Sequence, residues 1–161
     1  MVFAHQKDLI HSDLSARQFL VDRGCNLRLS DFGGLSLRGS DAIVTETATH
    51  FLPRNEDEPN TIQSEIFALG STIYEIIVGE KPYEQLKDDE IQRLYSEKQF
   101  PTLDKIQDPH WRRVIQKCWG CEYTHASDIF ADLASQRTRP NLADLVDSWK
   151  RRRVVCTNNC L

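Results

Sequence analysis

Residues 64–78 restrict the fold more than any other part of the chain, because they are strongly apolar. At 3.6 residues per turn, the apolar side chains cover most of a helix surface: Ile66, Phe67, Ala68, Leu69, Ile73, Tyr74, Ile76, Ile77 and Val78. A helix that is apolar almost all round lies in the middle of its domain. We therefore predict a buried central helix over about residues 64–78, with Ser64 as a candidate N-cap and Gly79 at its C-terminal stop.

Shorter patterns predict the elements around that helix. Two apolar runs, residues 19–21 and 27–30, flank a turn rich in Asp, Gly and Asn and predict a β-hairpin. Residues 36–49 and 120–136 are predicted to be long loops. Further helices are predicted where apolar residues follow helical spacing: 88–98, 109–119 and 141–149. The fold class that we predict is therefore mainly α, with one small hairpin.

The composition limits the classes of function. With 161 residues, of which 40% are hydrophobic and 27% charged, the chain is long enough for one domain with a core. A net charge of −4 argues against general nucleic-acid binding, which needs a cationic surface. No run approaches the roughly 20 apolar residues of a membrane span. Five cysteines, an odd number, argue against a disulfide framework and favour a cytoplasmic location.

The end of the chain differs in charge from the rest. We predict one domain over residues 1–149 and a basic tail over residues 150–161, which begins with one lysine and three arginines. A solvated tail is the simplest interpretation of that run. A nuclear address, or contact with anionic lipid, is the alternative.

Three polar residues near the start of the chain suit phosphate chemistry. Asp13 is followed five positions later by the amide of Gln18, and a second acid, Asp31, follows the predicted hairpin. One carboxylate can orient or deprotonate an attacking hydroxyl. The amide and the second carboxylate offer the hard oxygen ligands that magnesium prefers.

These residues resemble the H-R-D-L-x-x-x-N and D-F-G motifs of eukaryotic-type protein kinases. Residues 11–18 read His-Ser-Asp-Leu-Ser-Ala-Arg-Gln and residues 31–33 read Asp-Phe-Gly, with the hairpin between them. Later landmarks occur in the family's order, most like the tyrosine-kinase and tyrosine-kinase-like branches: 65–70, 79–83, 117–119 and 139–140. The resemblance implies a kinase C-terminal lobe, with the N-terminal lobe absent.

The resemblance also implies a role for each matching residue. Asp13 would be the catalytic base in the catalytic loop, residues 11–18. Gln18 and Asp31 would hold Mg²⁺ against the phosphates of ATP, and Leu20 would pack under the adenine ring. A protein hydroxyl would be the substrate.

Structural and regulatory parts follow from the same resemblance. His11 and Phe32 would stack in the spine that joins the two lobes. Residues 31–54 would be the activation segment, with these candidate phosphate acceptors: Ser36, Ser40, Thr45, Thr47 and Thr49. Ser15 and Arg17 leave open whether the substrate hydroxyl belongs to Ser/Thr or Tyr.

The chain departs from the family's motifs at several positions. Ser12 stands where an arginine usually binds a phosphate of the activation segment. Gln18 is one methylene longer than the usual Asn. Glu65 replaces an Asp, and we expect its carboxylate to accept backbone N–H bonds from the catalytic loop.

The A-P-E motif at the end of the activation segment is also altered. Arg54 stands where a glutamate usually pairs with a late arginine, here Arg139. Glu56 and Glu58 are the candidate replacements for that glutamate.

Three functional hypotheses follow. The family's Gly-rich loop, strand lysine and helix glutamate are not among the 161 residues, so we expect a truncated kinase, inactive as an isolated chain. The second hypothesis is a pseudokinase-like module that docks a partner protein without catalysis. The third is a zinc-dependent module built on spaced cysteines and a histidine: Cys118, Cys121, His125, Cys156 and Cys160.

Overall fold

The computed structural model describes residues 1–40, 42–55 and 57–135. The helices in these ranges are α1 (Val2–His5), α2 (Ile62–Val78), α3 (Asp88–Ser96), α4 (Pro109–Trp119) and α5 (Ala126–Ser135). The strands are β1 (Leu9–Ile10), β2 (Phe19–Val21), β3 (Leu27–Leu29) and β4 (Ser36–Leu37), and Ala16–Gln18 forms a 3₁₀ turn. The predicted mainly α fold is confirmed.

Helix α2 is the central helix, as its apolar surface predicts. It begins two residues before the predicted start, because Thr61 rather than Ser64 is the N-cap. The Thr61 hydroxyl accepts from the Ser64 N–H at 3.1 Å, and the Ser64 hydroxyl accepts from the Thr61 N–H at 3.0 Å. This reciprocal capping box satisfies two otherwise unpaired donors. At the other end, Gly79 has φ 88°, the left-handed conformation that glycine adopts without strain.

Helices α2 and α4 pack closely because Gly70 has no side chain. A Cβ at Gly70 would lie 2.6 Å from the Cβ of Cys118, too close for two carbon atoms that are not bonded to each other. The indole N–H of Trp119, which is buried beside it, donates to the Ser71 hydroxyl at 3.0 Å. The shared core of the two helices is completed by buried apolar residues: Ile66, Phe67, Tyr74, Trp111, Val114 and Ile115.

Two antiparallel strand pairs lie next to the helical core. Strands β2 and β3 form the predicted hairpin, with Leu20 opposite Arg28. Its turn is held by Asp22, whose carboxylate accepts from the N–H groups of Gly24 and Asn26 at 2.9 Å. Strands β1 and β4 form the second pair, which the sequence did not predict because residues 36–49 were interpreted as a loop.

The prediction that residues 120–136 are a loop is wrong, since α5 occupies most of them. Ala126 and Ile129 are buried, and Leu133 packs against the core. Their spacing of three and four residues gives the helix one apolar face. At its start, Asp128 accepts from the Thr124 and His125 N–H groups.

Several predictions lie outside the described residues. These are the helix over 141–149, the basic tail over 150–161, the positions of Arg139 and Glu56, and the candidate zinc ligands Cys156 and Cys160. Among the helices that the structure does describe, none has the length and apolar character needed to cross a membrane.

Candidate active site

The catalytic loop is attached to α2 through Glu65, whose side chain is only 1% exposed. One carboxylate oxygen accepts from the backbone N–H of His11 at 2.5 Å, and the other lies 2.6 Å from Nε2 of His5. The expectation that Glu65 receives a backbone N–H from this loop is therefore confirmed. A charge-assisted hydrogen bond of this kind is stronger than a neutral one, so it holds the start of the loop on the central helix.

Ser12 turns the chain immediately before Asp13. Its φ of 71° lies in the left-handed region, where a non-glycine residue is uncommon. The side chain is buried, and its hydroxyl donates to the Ile10 carbonyl at 3.3 Å. A neutral hydroxyl turned to the backbone supplies no charge for a phosphate.

Asp13 and Gln18 are in direct contact. The amide nitrogen of Gln18 donates to Oδ2 of Asp13 at 3.1 Å. Gln18 is buried and Asp13 is half-buried. This bond orients the carboxylate and leaves two oxygens outside it, Oδ1 of Asp13 and Oε1 of Gln18.

A second carboxylate of α2 holds the middle of the catalytic loop. Oε2 of Glu75 accepts from the Ala16 N–H at 3.2 Å and lies 3.5 Å from Nε2 of His50. Burial raises the pKa of Glu75, but the neighbouring His50 ring and the Ala16 N–H lower it by more, so that the net pKa is below its usual value. Glu75 therefore stays ionised and keeps its hold on the loop at neutral pH.

Backbone hydrogen bonds bring the D-F-G segment to the same place. The Gln18 carbonyl accepts from both the N–H and the hydroxyl of Ser30, at 2.8 and 2.9 Å. Nε2–H of His11 donates to the Ser30 carbonyl at 2.8 Å. The rings of His11 and Phe32 are 5.2 Å apart, which is the predicted contact between them. Asp31 directly follows Ser30, the residue that is bonded to Gln18.

The positions of Asp31 and Leu20 suit contact with a ligand rather than a role in the core. Asp31 is exposed and has φ 61°. Leu20 lies on β2 with 55% of its surface exposed, and Leu27 and Phe32 are also exposed. The structure leaves these apolar side chains uncovered on the side of the hairpin and the D-F-G segment. The roles of Asp13, Gln18, Leu20 and Asp31 stay predictions.

The donor set fits magnesium better than zinc. Gln18 and Asp31 offer oxygen atoms, and magnesium usually takes one or two protein oxygens together with substrate phosphates and water. Within residues 1–40, 42–55 and 57–135, no three His, Cys, Asp or Glu side chains form a group that could hold a metal. Burial raises the pKa of Cys118 to about 12, which disfavours the thiolate that zinc needs.

The candidate phosphate acceptors differ in accessibility. Ser36 and Thr49 are buried, whereas Ser40, Thr45 and Thr47 are exposed. The Ser36 hydroxyl donates to the Ser40 carbonyl at 2.5 Å within the β4 turn. Only the three exposed residues are open to a modifying enzyme.

The sequence reasoning missed three residues that shape this region. His5 and Glu75 bond to the catalytic loop or its anchor, and Glu46 forms a buried ion pair with Arg54 at 2.8 Å. Two signals were available in the sequence: Glu75 is an isolated charge in an apolar helix, and Arg54 replaces a glutamate. The partner of each could not be predicted without the path of the chain.

Comparison with known proteins agrees with this geometry. The family model described as protein tyrosine and serine/threonine kinase matches residues 1–129. Since the match covers most of the chain, the protein belongs to the protein kinase family, and the predicted resemblance is confirmed.

Curated relatives include several serine/threonine kinases. The chain is 26% identical over 141 residues to serine/threonine-protein kinase STY46 of Arabidopsis thaliana, covering 84% of this chain and 24% of that protein. It is 24% identical over 152 residues to STY17 of the same organism, covering 91% and 24%. The RAF proto-oncogene serine/threonine-protein kinase of Xenopus laevis is 26% identical over 98 residues, covering 55% and 15%. The chain therefore spans a quarter or less of these relatives.

Proposed function

We propose that Asp13, Gln18, Leu20 and Asp31 form the C-terminal-lobe part of a protein kinase active site. Such a site transfers the γ-phosphoryl group of ATP to a protein hydroxyl. The observation that carries the proposal is the Gln18–Asp13 hydrogen bond of 3.1 Å, in a loop whose Gln18 carbonyl is bonded to Ser30, next to Asp31. These bonds join Asp13 to Gln18 and join Gln18 to the residue that precedes Asp31.

The roles of the residues follow from their chemistry. Asp13 accepts the proton of the substrate hydroxyl, with its carboxylate oriented by the Gln18 amide. Gln18 and Asp31 would hold Mg²⁺ through their oxygens, and Leu20 would pack against the adenine. Bound Mg²⁺–ATP supplies the phosphoryl group and the neutralising charge. The serine/threonine class of the relatives favours a Ser or Thr hydroxyl as the acceptor.

The 161 residues supply one side of this site only. The Gly-rich loop, strand lysine and helix glutamate of the family are not among them. Because positioning and charge neutralisation provide most of phosphoryl-transfer catalysis, we expect no measurable transfer from this chain alone. Binding of the nucleotide is therefore a better test than turnover.

The test is Mg²⁺-dependent ATP binding by the purified chain, measured by titration calorimetry. We expect weak binding that Asp31→Asn weakens at least about tenfold, because one metal oxygen loses its charge. Asp89→Asn, an exposed position on α3, is the matched control and should bind like the native chain. Binding that Asp31→Asn leaves unchanged contradicts the proposed metal role.

A binding module without catalysis is the second candidate function. Two observations favour it: Ser12 gives no charge for a phosphate, and Arg54, at the position of the family's glutamate, pairs with Glu46 inside the activation segment. The exposed Leu20, Leu27 and Phe32 would then contact a partner protein. No binding at millimolar ATP would favour this alternative.

A further inference from the structure

Arg54 and Glu46 form an ion pair that is almost completely buried. Their side chains are 8% and 1% exposed, and Nη2 of Arg54 donates to Oε2 of Glu46 at 2.8 Å. The guanidinium also lies 4.1 Å from the centre of the Phe51 ring. A buried charge without a partner is very costly, so each of these two side chains strongly favours the position of the other.

The pair connects three separate points of the backbone. Nη1 of Arg54 donates to the Leu52 carbonyl at 3.2 Å, and Nη2 also donates to the side-chain oxygen of Asn60. The Asn60 amide in turn donates to the Val44 carbonyl at 3.2 Å. Residues 44–46, residues 51–54 and the residue before the N-cap of α2 are therefore held in one network.

Residues 48 and 49, in the same stretch of chain, are hydrogen-bonded to α3. The Ala48 carbonyl accepts from Nε2 of Gln92 at 2.9 Å, and the Thr49 carbonyl accepts from the hydroxyl of Tyr95 at 3.1 Å. With the ion pair on one side and α3 on the other, residues 44–54 are fixed at both edges. These bonds use charges and groups that are present without any modification.

We propose that the Glu46–Arg54 pair orders the end of the activation segment in place of a phosphate, so that residues 44–54 keep their shape in the unmodified protein. The proposal rests on the proposed function only in naming this stretch an activation segment. Position 12 carries a neutral hydroxyl that donates to the Ile10 carbonyl, whereas Arg54 already has its anion in Glu46. Both residues are positioning residues, which act through the backbone that they hold.

The test is hydrogen–deuterium exchange of the full 161-residue chain in its unphosphorylated form, verified by intact mass. In peptides that cover residues 44–54, Glu46→Gln should accelerate exchange at least about tenfold, because the guanidinium loses its anion but keeps a neighbour of the same shape. The His50 amide, which donates to the Thr47 carbonyl at 2.7 Å, is a sensitive reporter. Peptides from α4 should exchange at the native rate.

Two further variants separate the charge effect from a general loss of structure. The double variant E46R/R54E restores an ion pair with the charges exchanged and should recover at least half of the lost protection on a logarithmic scale. Glu97→Gln breaks the exposed Arg93–Glu97 pair and should leave residues 44–54 unchanged, since exposed pairs contribute little.

The outcomes are decisive in both directions. Native-like exchange of residues 44–54 in Glu46→Gln overturns the proposal. So does unprotected exchange of these residues in the unphosphorylated native chain. Exchange needs neither ATP nor turnover, so failure of the ATP-binding test leaves this proposal intact, and the reverse also holds.

Discussion

Removal of the Glu65 carboxylate should destabilise the protein more than any other loss of a single charge in the catalytic region. Glu65 is buried on α2 and bonds to the His11 N–H at 2.5 Å and to the His5 ring at 2.6 Å. The residues joined are 54 and 60 positions apart, so no local structure can replace these contacts.

The magnitude follows from the two bonds. Hydrogen bonds to a charged group contribute about 1.5–3 kcal/mol each, and an unpaired buried N–H costs about 1–3 kcal/mol. We expect Glu65→Ala to lower the free energy of unfolding by about 3–5 kcal/mol. Glu65→Gln keeps an oxygen for the His11 N–H and should cost about 1–2 kcal/mol.

The assay is urea unfolding followed by tryptophan fluorescence, because Trp111 and Trp119 are buried in the core. Glu84→Gln, at an exposed position, is the matched control and should stay within about 0.5 kcal/mol of the native value. An Ala variant that also stays within that range, with an unchanged slope against urea, would refute the reasoning. The order native, Gln, Ala in stability is the specific expectation.

Two other predictions concern the packing of α4. Gly70→Ala should lower the free energy of unfolding by about 1–3 kcal/mol, despite the better helix propensity of alanine, because the new Cβ would lie 2.6 Å from Cys118. A melting temperature at or above that of the native protein would contradict this. Asp132 accepts from the hydroxyl of Tyr123 at 2.6 Å and from Lys117 and Arg113, and these lower its pKa from 3.8 to about 2. A lowered pKa in the folded state means that the contribution to stability is present above pH 3.8 and is lost as the pH falls through 2. Because solvent screens these charges near the surface, Asp132→Asn should lower the free energy of unfolding, measured in urea at pH 7, by about 1 kcal/mol. An equal loss at pH 2 would contradict this role of the Asp132 charge.

The sequence predicted those elements whose signal is local. The apolar surface of α2 and the two apolar runs of the hairpin are properties of short windows, and both elements are present. The start of α2 was predicted two residues too late, because Thr61 and Ser64 are both good caps and only their reciprocal bonding selects Thr61. Helix α5 was missed, although Ala126, Ile129 and Leu133 have helical spacing.

Within the candidate site, the sequence identified the residue types, but most of the contacts between them depended on the fold. Asp13, Gln18 and Asp31 were selected by motif, and the structure adds the bond between Asp13 and Gln18. That bond spans five residues and lay within reach of sequence reasoning. The Ser30 bonds to Gln18 required the hairpin to be folded first.

By itself, the sequence determined the family, the central helix and the residue types that can hold magnesium and move a proton. Only the tertiary structure decided that Glu65 anchors His11, that Gly70 admits Cys118 and that Glu46 neutralises Arg54. The physical reason is that a buried charge is stable only beside its partner, and which partner comes within 3 Å depends on the path of the whole chain rather than on any short stretch of it.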